Sequence, residues 1–293
     1  MTRDQLIKTI FEKKTFLCVG LDTNISKMPR HLRDSPNALW DFNKAIIDAT
    51  KDYCVAYKIN SAFYEAHGVK GWQVMEQTFE YIPDTHLKIA DAKRGDIGNT
   101  SDEYARAFFE QLKADAITVV PYMGDDSLMP FLKYKDKWTI VLALTSNPGS
   151  HDFQKLALQK SKKNGLDLVP DLASASDRSE LVYERVLKTV SSWASPEQLM
   201  FVVGATQASD LAGIREIIPD NFLLVPGVGF QGGSLAEVAR YGMTKDCGLL
   251  VNGSRAIIYA SDDENFADEA AAVAKEYQVE MAVYLANAKL NFT

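Results

Sequence analysis

The chain has 293 residues, 46% of them hydrophobic and 24% charged, with a formal net charge of −7. That is the composition of an ordinary soluble globular protein, long enough for two small domains or one large α/β barrel. The acidic balance, with no basic run longer than the KSKK of residues 160–163, argues against nucleic acid as a partner, and no apolar stretch reaches the length of a membrane span.

The N-terminal MTRDQLIKTIFEKKTF (1–16) has the spacing of an amphipathic helix, carries acids and lacks the apolar centre of a signal peptide. Short apolar, β-branched runs then predict strands at 16–21 (FLCVGL), 55–60 (VAYKIN), 86–92 (HLKIADA), 116–120 (AITVV), 138–144 (WTIVLAL), 200–205 (MFVVGA), 222–228 (FLLVPGV) and 248–253 (GLLVNG). Helical spacing lies between them: Leu39, Phe42, Ile46 and Ala49; Val74 through Phe79; Tyr104, Phe108 and Leu112; Leu128, Phe131 and Leu132; then 181–193, 211–218, 235–239 and 266–285. Near-continuous apolar strands alternating with amphipathic helices indicate a parallel sheet covered by helices, and eight such units predict a (β/α)8 TIM barrel, here a single domain over 1–293. Residues 147–178 separate the fifth strand from its helix and read as an insertion on the catalytic face, since loops of that length are uncommon unless functional or disordered. Cys18, Cys54 and Cys247 stand in or beside apolar runs, as buried free thiols of a reducing, cytoplasmic compartment would. His31, His67, His86 and His151 show no ligand spacing, so no metal is expected, and no motif for a cofactor is visible.

Charge gathers where strands end. Ile89, Asp91 and Lys93 share one face of the third strand, while Ala90 and Ala92 share the other. Gly95 then lets the chain turn, and Asp96 precedes the polar start of a helix. Asp22 ends the first strand and Lys58 lies near the end of the second, so five charges, Asp22, Lys58, Asp91, Lys93 and Asp96, are expected to converge. Any one of them is more simply an N-cap or a solvated strand end. A cluster over three successive strand ends must pair or do chemistry, because an unpaired buried ion costs several kcal/mol. Such a network suits a protonated lysine acting as proton donor beside an ionised carboxylate.

The last two strand ends differ. PGVGFQGG (226–233) follows the seventh strand and NGSRAI (252–257) the eighth, where barrels often bind phosphate through backbone N–H groups and a helix N-terminus. Gln231 offers an amide donor and Arg255 a bidentate fork.

These elements resemble the orotidine 5′-phosphate decarboxylase family. DAKRGDI (91–97) matches its DxKxxDI signature, and Leu21-Asp22, Lys58 in AYKIN, LTSNPG (144–149), PGVGFQGG and the Arg255 turn follow in the family's order. The resemblance covers essentially the whole barrel and, with the insertion after the fifth strand, is similar to the larger bacterial subgroup. It implies metal-free, cofactor-independent decarboxylation of orotidine 5′-phosphate to uridine 5′-phosphate in de novo pyrimidine biosynthesis. In that reading Lys58, Asp91, Lys93 and Asp96 form a charged tetrad, with Lys93 protonating C6 and Asp91 beside the departing carboxylate. Asp22 and Lys58 look like ribose ligands. Ser146, or Thr145 one residue earlier, is similar to the serine that meets the pyrimidine. Pro226 and Gln231 belong to the loop over the phosphate, and Arg255 resembles the phosphate arginine, although many members have Gly where this chain has Ser254. The resemblance also implies a homodimer in which Asp96, Ile97 and Thr100 reach into the partner's site.

Two alternatives differ in class. A Mg2+-dependent 3-keto sugar phosphate decarboxylase or aldolase of the same superfamily shares the acidic, lysine-bearing third strand, but Ile97 and LTSNPG favour the pyrimidine. A catalytically silent nucleotide-binding barrel is disfavoured by the complete tetrad, since expensive buried charges tend to be lost with the chemistry.

Overall fold

Leu17–Leu21, Ala116–Val119, Leu199–Val203 and Leu249–Gly253 are buried along their whole length, as strands covered on both faces must be. In the computed structural model, which describes residues 1–160, 166–168, 179–229 and 232–291, they belong to a closed barrel of parallel strands. The strands are β1 (Leu17–Leu21), β2 (Ala56–Asn60), β3 (Leu87–Arg94), β4 (Ala116–Val119), β5 (Trp138–Leu144), β6 (Leu199–Val203), β7 (Phe222–Pro226) and β8 (Leu249–Gly253). Each pairs with its neighbour in sequence, and β8 closes on β1 through Leu17↔Val251, Cys18↔Asn252 and Val19↔Gly253. The (β/α)8 barrel expected from the sequence is therefore the fold, with strand ends displaced by a residue or two.

Helices cover the outside. The first, Arg3–Lys13, opens on a capping box: Thr2 Oγ1 accepts from the Gln5 N–H and Gln5 Oε1 from the Thr2 N–H. The last, Phe266–Asn291, packs on Ala38–Thr50, where Phe42 stacks between Phe266 (centroids 5.2 Å apart) and Tyr259 (5.7 Å). Burying a ring such as Phe42 contributes about 1.5–3 kcal/mol, and this column also fixes Tyr259, whose hydroxyl donates to the Asp22 carbonyl at 3.1 Å. Among the described residues no helix is long and apolar enough to cross a membrane.

The segment after β5 is more structured than a loop. It begins with a 3-10 turn, Pro148–Asp152, and contributes an antiparallel sheet in which Ala157–Lys160 lies between Leu166–Leu168 and Glu180–Leu181 before the helix Val182–Ser191. Strands of two to four residues are too short to leave a readable period, which is why the sequence suggested only a long connection.

At the opposite, N-terminal end of the barrel, His86 is buried against Lys13, whose ammonium lies 2.8 Å from Nε2 and also donates to the Lys51 and Cys54 carbonyls. Burial, reinforced by the Lys13 charge, pushes the imidazole pKa down to about 4. An unfolded chain protonates its histidine near 6.5, so on acidification the unfolded state takes the proton first. The resulting stability is complete above about pH 6.5 and is lost as pH falls towards 4, by up to roughly 3 kcal/mol. Urea midpoints measured from pH 7 to pH 4 should therefore fall less steeply in His86→Gln than in the wild type; parallel profiles would assign the acid sensitivity elsewhere.

Candidate active site

At the C-terminal ends of β1, β2 and β3 the structure builds a chain of alternating charge. Lys58 Nζ donates to Asp91 Oδ2 at 2.9 Å and to Asp22 Oδ1 at 3.3 Å, and Lys93 Nζ donates to Asp91 Oδ1 at 2.6 Å. Pairing of Gly20 and Ile89 with Lys58 across the barrel wall sets this arrangement. The Lys58 side chain is 5% exposed and that of Asp91 11%. Burial alone would pull the Lys58 pKa down, but Asp22 and Asp91 outweigh it and hold the ammonium above the ordinary lysine range. Burial likewise would raise the Asp91 pKa, yet Lys58 and Lys93 keep this carboxyl well below the usual carboxylate range. Both groups therefore carry their charges at neutral pH.

Strict strand alternation does not bring Lys93 to Asp91 by itself. The β3–β4 register shifts between Ala90 and Arg94, and Lys93 adopts φ 48°, a left-handed conformation that costs a side-chain-bearing residue roughly 1–2 kcal/mol. Thr118 of β4 holds the turn: its Oγ1 accepts from the Lys93 N–H at 2.9 Å and donates to Asp91 Oδ1 at 3.0 Å. The sequence carried a signal for Thr118, a lone hydroxyl in the apolar run AITVV, which went unread.

Four of the five expected charges converge, and Asp96 does not join them. Its Oδ1 accepts from the Ile97 N–H at 2.8 Å and its carbonyl from Ser101 Oγ, which ties Asp96 to the start of the helix Gly98–Arg106. Ile97 and Thr100 are exposed beside it, and none of the three lines the cavity. The expectation of a five-charge cluster within one chain is corrected here: the turn after Lys93 carries Asp96 away from the barrel mouth.

The cavity, about 300 Å³, lies inside the barrel mouth between the charged chain and the ends of β7 and β8, a volume at the small end of ligand sites. Asp22, Lys58, Asp91 and Lys93 form one wall, Thr145 and Ser146 line it after β5, Pro226, Gly227 and Arg255 face it from the last two strand ends, and Leu142, Val202 and Leu224 are its apolar part. Gly227, Gly229 and Gly232 all adopt positive φ, so the loop after β7 folds tightly on itself, with the Gly229 N–H donating to the Gly233 carbonyl at 2.9 Å. Gln231 lies outside the described residues. Arg255 opens a helix of one turn, Arg255–Ile258. Ser254 has a use the sequence did not suggest: its Oγ donates to Asp22 Oδ2 at 2.7 Å, joining the β8 end to the charged chain. Asn147 and Asn252 also line the cavity and were not anticipated. Among the described residues no group of three His, Cys, Asp or Glu side chains could hold a metal ion.

The comparisons with known proteins agree with this geometry. Residues 15–270 match the orotidine 5′-phosphate decarboxylase / HUMPS family. The chain is 55% identical over 289 residues to the orotidine 5′-phosphate decarboxylase of Bacteroides fragilis, covering 97% of this chain and 98% of that one. It is equally 55% identical over 289 residues to the enzyme of that name from Parabacteroides distasonis, covering 97% and 96%. Among solved structures, Leishmania donovani OMP decarboxylase superposes with a TM-score of 0.78 at 35% identity, over 97% of this chain and 99% of that one. Similarity at this level along nearly the full length, on the same barrel, means that the chain belongs to the orotidine 5′-phosphate decarboxylase / HUMPS family.

Proposed function

We propose that this protein removes CO2 from C6 of orotidine 5′-phosphate to give uridine 5′-phosphate, the decarboxylation of de novo pyrimidine biosynthesis, without metal or cofactor. The observation that carries the reading is the chain Asp22–Lys58–Asp91–Lys93 on one wall of a cavity that Arg255 also lines, from the strand end next to Asp22. Decarboxylation at C6 leaves an electron pair in the plane of the ring, where the π-system does not delocalise it. Fixed protein charge must stabilise that pair, and such charge costs no reorganisation at the moment of reaction. As the bond from C6 to the carboxylate breaks, CO2 departs and the bonding pair stays on C6; the Lys93 ammonium serves as its counter-charge and then delivers a proton to that pair, forming the C6–H bond. Asp91, ionised and buried, lies against the substrate carboxylate, and the stress of that contact is relieved as CO2 leaves. Lys58 keeps Asp91 ionised and, with Asp22, binds the ribose hydroxyls. Ser146 meets the pyrimidine, while Pro226, Gln231 and Arg255 take the phosphate.

The same reading assigns Asp96, Ile97 and Thr100 to the site of a second subunit in a homodimer. Exposed apolar side chains support it: Ile97 is 56% and Tyr122 93% exposed, and Met129 lies on the helix Asp125–Leu132, which packs against Gly98–Arg106. A reducing, cytoplasmic setting is supported by the buried free thiols of Cys18, Cys54 and Cys247. The 55% identity to proteins named orotidine 5′-phosphate decarboxylase favours this reaction over the Mg2+-dependent sugar-phosphate chemistry.

Purified protein dialysed against EDTA should release CO2 from orotidine 5′-phosphate at the rate of the untreated enzyme. Activity that returned only with added Mg2+ would support the sugar-phosphate alternative. Lys93→Ala and Asp96→Ala should each be nearly inactive, and re-equilibrated mixtures should regain turnover, because one site of a mixed dimer has both native residues. Mixed dimers verified by mass with no regained turnover would rule out sharing between subunits. Arg255→Ala should lower kcat/KM for the nucleotide by roughly 30- to 1000-fold, about 2–4 kcal/mol, and barely change it for orotidine lacking the phosphate. Equal losses with both substrates would remove the phosphate from the β7 and β8 ends.

A further inference from the structure

Among the described residues of the insertion after β5, Gln154 bonds to a residue that lines the cavity, Thr145. Its Oε1 accepts from the Thr145 N–H at 2.7 Å, and its Nε2 donates to Thr145 Oγ1 at 3.0 Å. Thr145 Oγ1 in turn donates to Asn147 Oδ1 at 2.6 Å. The directions are mutually consistent: the carboxamide uses one acceptor and one donor, and the threonine hydroxyl uses its single proton while receiving another. The Thr145 hydroxyl is thus committed to protein partners.

We infer that Gln154 is a positioning residue that holds Thr145, through its N–H and its hydroxyl, so that the adjoining Ser146 faces the pyrimidine. The inference rests on the pyrimidine role given to Ser146 above. Gln154 is well placed for this because its own main chain is tied on both sides, its N–H donating to the Ser150 carbonyl at 2.8 Å and its carbonyl accepting from the Tyr183 N–H at 2.9 Å. The next residue, Lys155, donates to Gln207 Oε1 at 2.7 Å and Asp210 Oδ2 at 3.1 Å, which fastens the base of the insertion to the segment following β6. From that side Gly204 comes so close that a Cβ there would stand 2.6 Å from the Ser146 Cβ and 2.7 Å from its N. Ser146 is therefore held between a glycine just after β6 that allows close approach and a preceding residue, Thr145, anchored by Gln154. Removing the carboxamide takes away the acceptor of the Thr145 N–H and the donor to its hydroxyl, and Thr145 loses the anchor that sets the direction of the chain into Ser146.

A positioning residue and a structural one separate in a double-mutant comparison. Turnover of orotidine 5′-phosphate is measured for wild type, Gln154→Ala, Ser146→Ala and the double variant, together with urea midpoints. Gln154→Ala is expected to lower kcat/KM by about tenfold, as loss of two partly buried neutral hydrogen bonds would. The double variant should lie within about twofold of Ser146→Ala, because once the serine is gone its orientation no longer matters. Losses that multiply, with a lowered urea midpoint, would overturn the inference and make Gln154 structural. If Gln154→Ala fails to fold, Gln154→Glu keeps the acceptor for the Thr145 N–H but cannot donate to its hydroxyl, and the same comparison applies. Wild-type turnover undiminished in Ser146→Ala would overturn the pyrimidine role of Ser146 and this inference with it, leaving the decarboxylase reading intact; a wild type inactive on orotidine 5′-phosphate would overturn both.

Discussion

Lys58 is an ammonium with almost no access to water, and bringing such an ion into a protein interior costs several kcal/mol unless opposite charge meets it. Asp22 and Asp91 supply that charge from the two neighbouring strands, so β1, β2 and β3 must close with Gly20 and Ile89 beside Lys58. A slip of one residue would turn the lysine to the other face of the sheet, leaving Asp22 without an ammonium and Asp91 with Lys93 alone. The barrel register and the charged network thus constrain each other.

Several local devices serve this arrangement. Asp91 accepts from Lys58, Lys93 and Thr118, so both of its carboxylate oxygens are engaged. Lys93 reaches it from a left-handed backbone, a conformation that persists because Thr118 holds the preceding turn through the Lys93 N–H. Asp22 is fixed on both ends: its carbonyl accepts from Tyr259, which is stacked on Phe42, and its carboxylate from Ser254. Ser254 precedes Arg255, and the same short segment therefore touches the charged chain and lines the cavity. A ligand that engages Arg255 acts on a residue adjoining one that orients Asp22.

The segment between β5 and its helix illustrates how a barrel acquires new parts without disturbing its core. Its base is hydrogen-bonded to the Val182–Ser191 helix and to the β6 side, while the barrel pairing of β5 with β6 continues through Thr139↔Leu199 and Val141↔Phe201. Additions at the C-terminal ends of strands lie beside the site, so even a structural insertion acquires the means to place a cavity residue.

Much of this was legible in the sequence because it is local. Continuous apolar runs and helical spacing announced the barrel, and Asp22, Lys58, Asp91 and Lys93 stand at strand ends where two-residue alternation and the barrel rule together point them at one mouth. Asp96 was misplaced within one chain because the direction of a turn after a left-handed residue is not written in residue type. Thr118, Ser254 and Gln154 were missed for a related reason. Ser254 meets Asp22 across 232 residues of chain and Thr118 meets Asp91 across 27, and such contacts exist only once the barrel has closed in a particular register. Periodicity reports which face a residue occupies, whereas a hydrogen bond requires a distance, and only the tertiary structure sets distances between strands that are far apart in the chain.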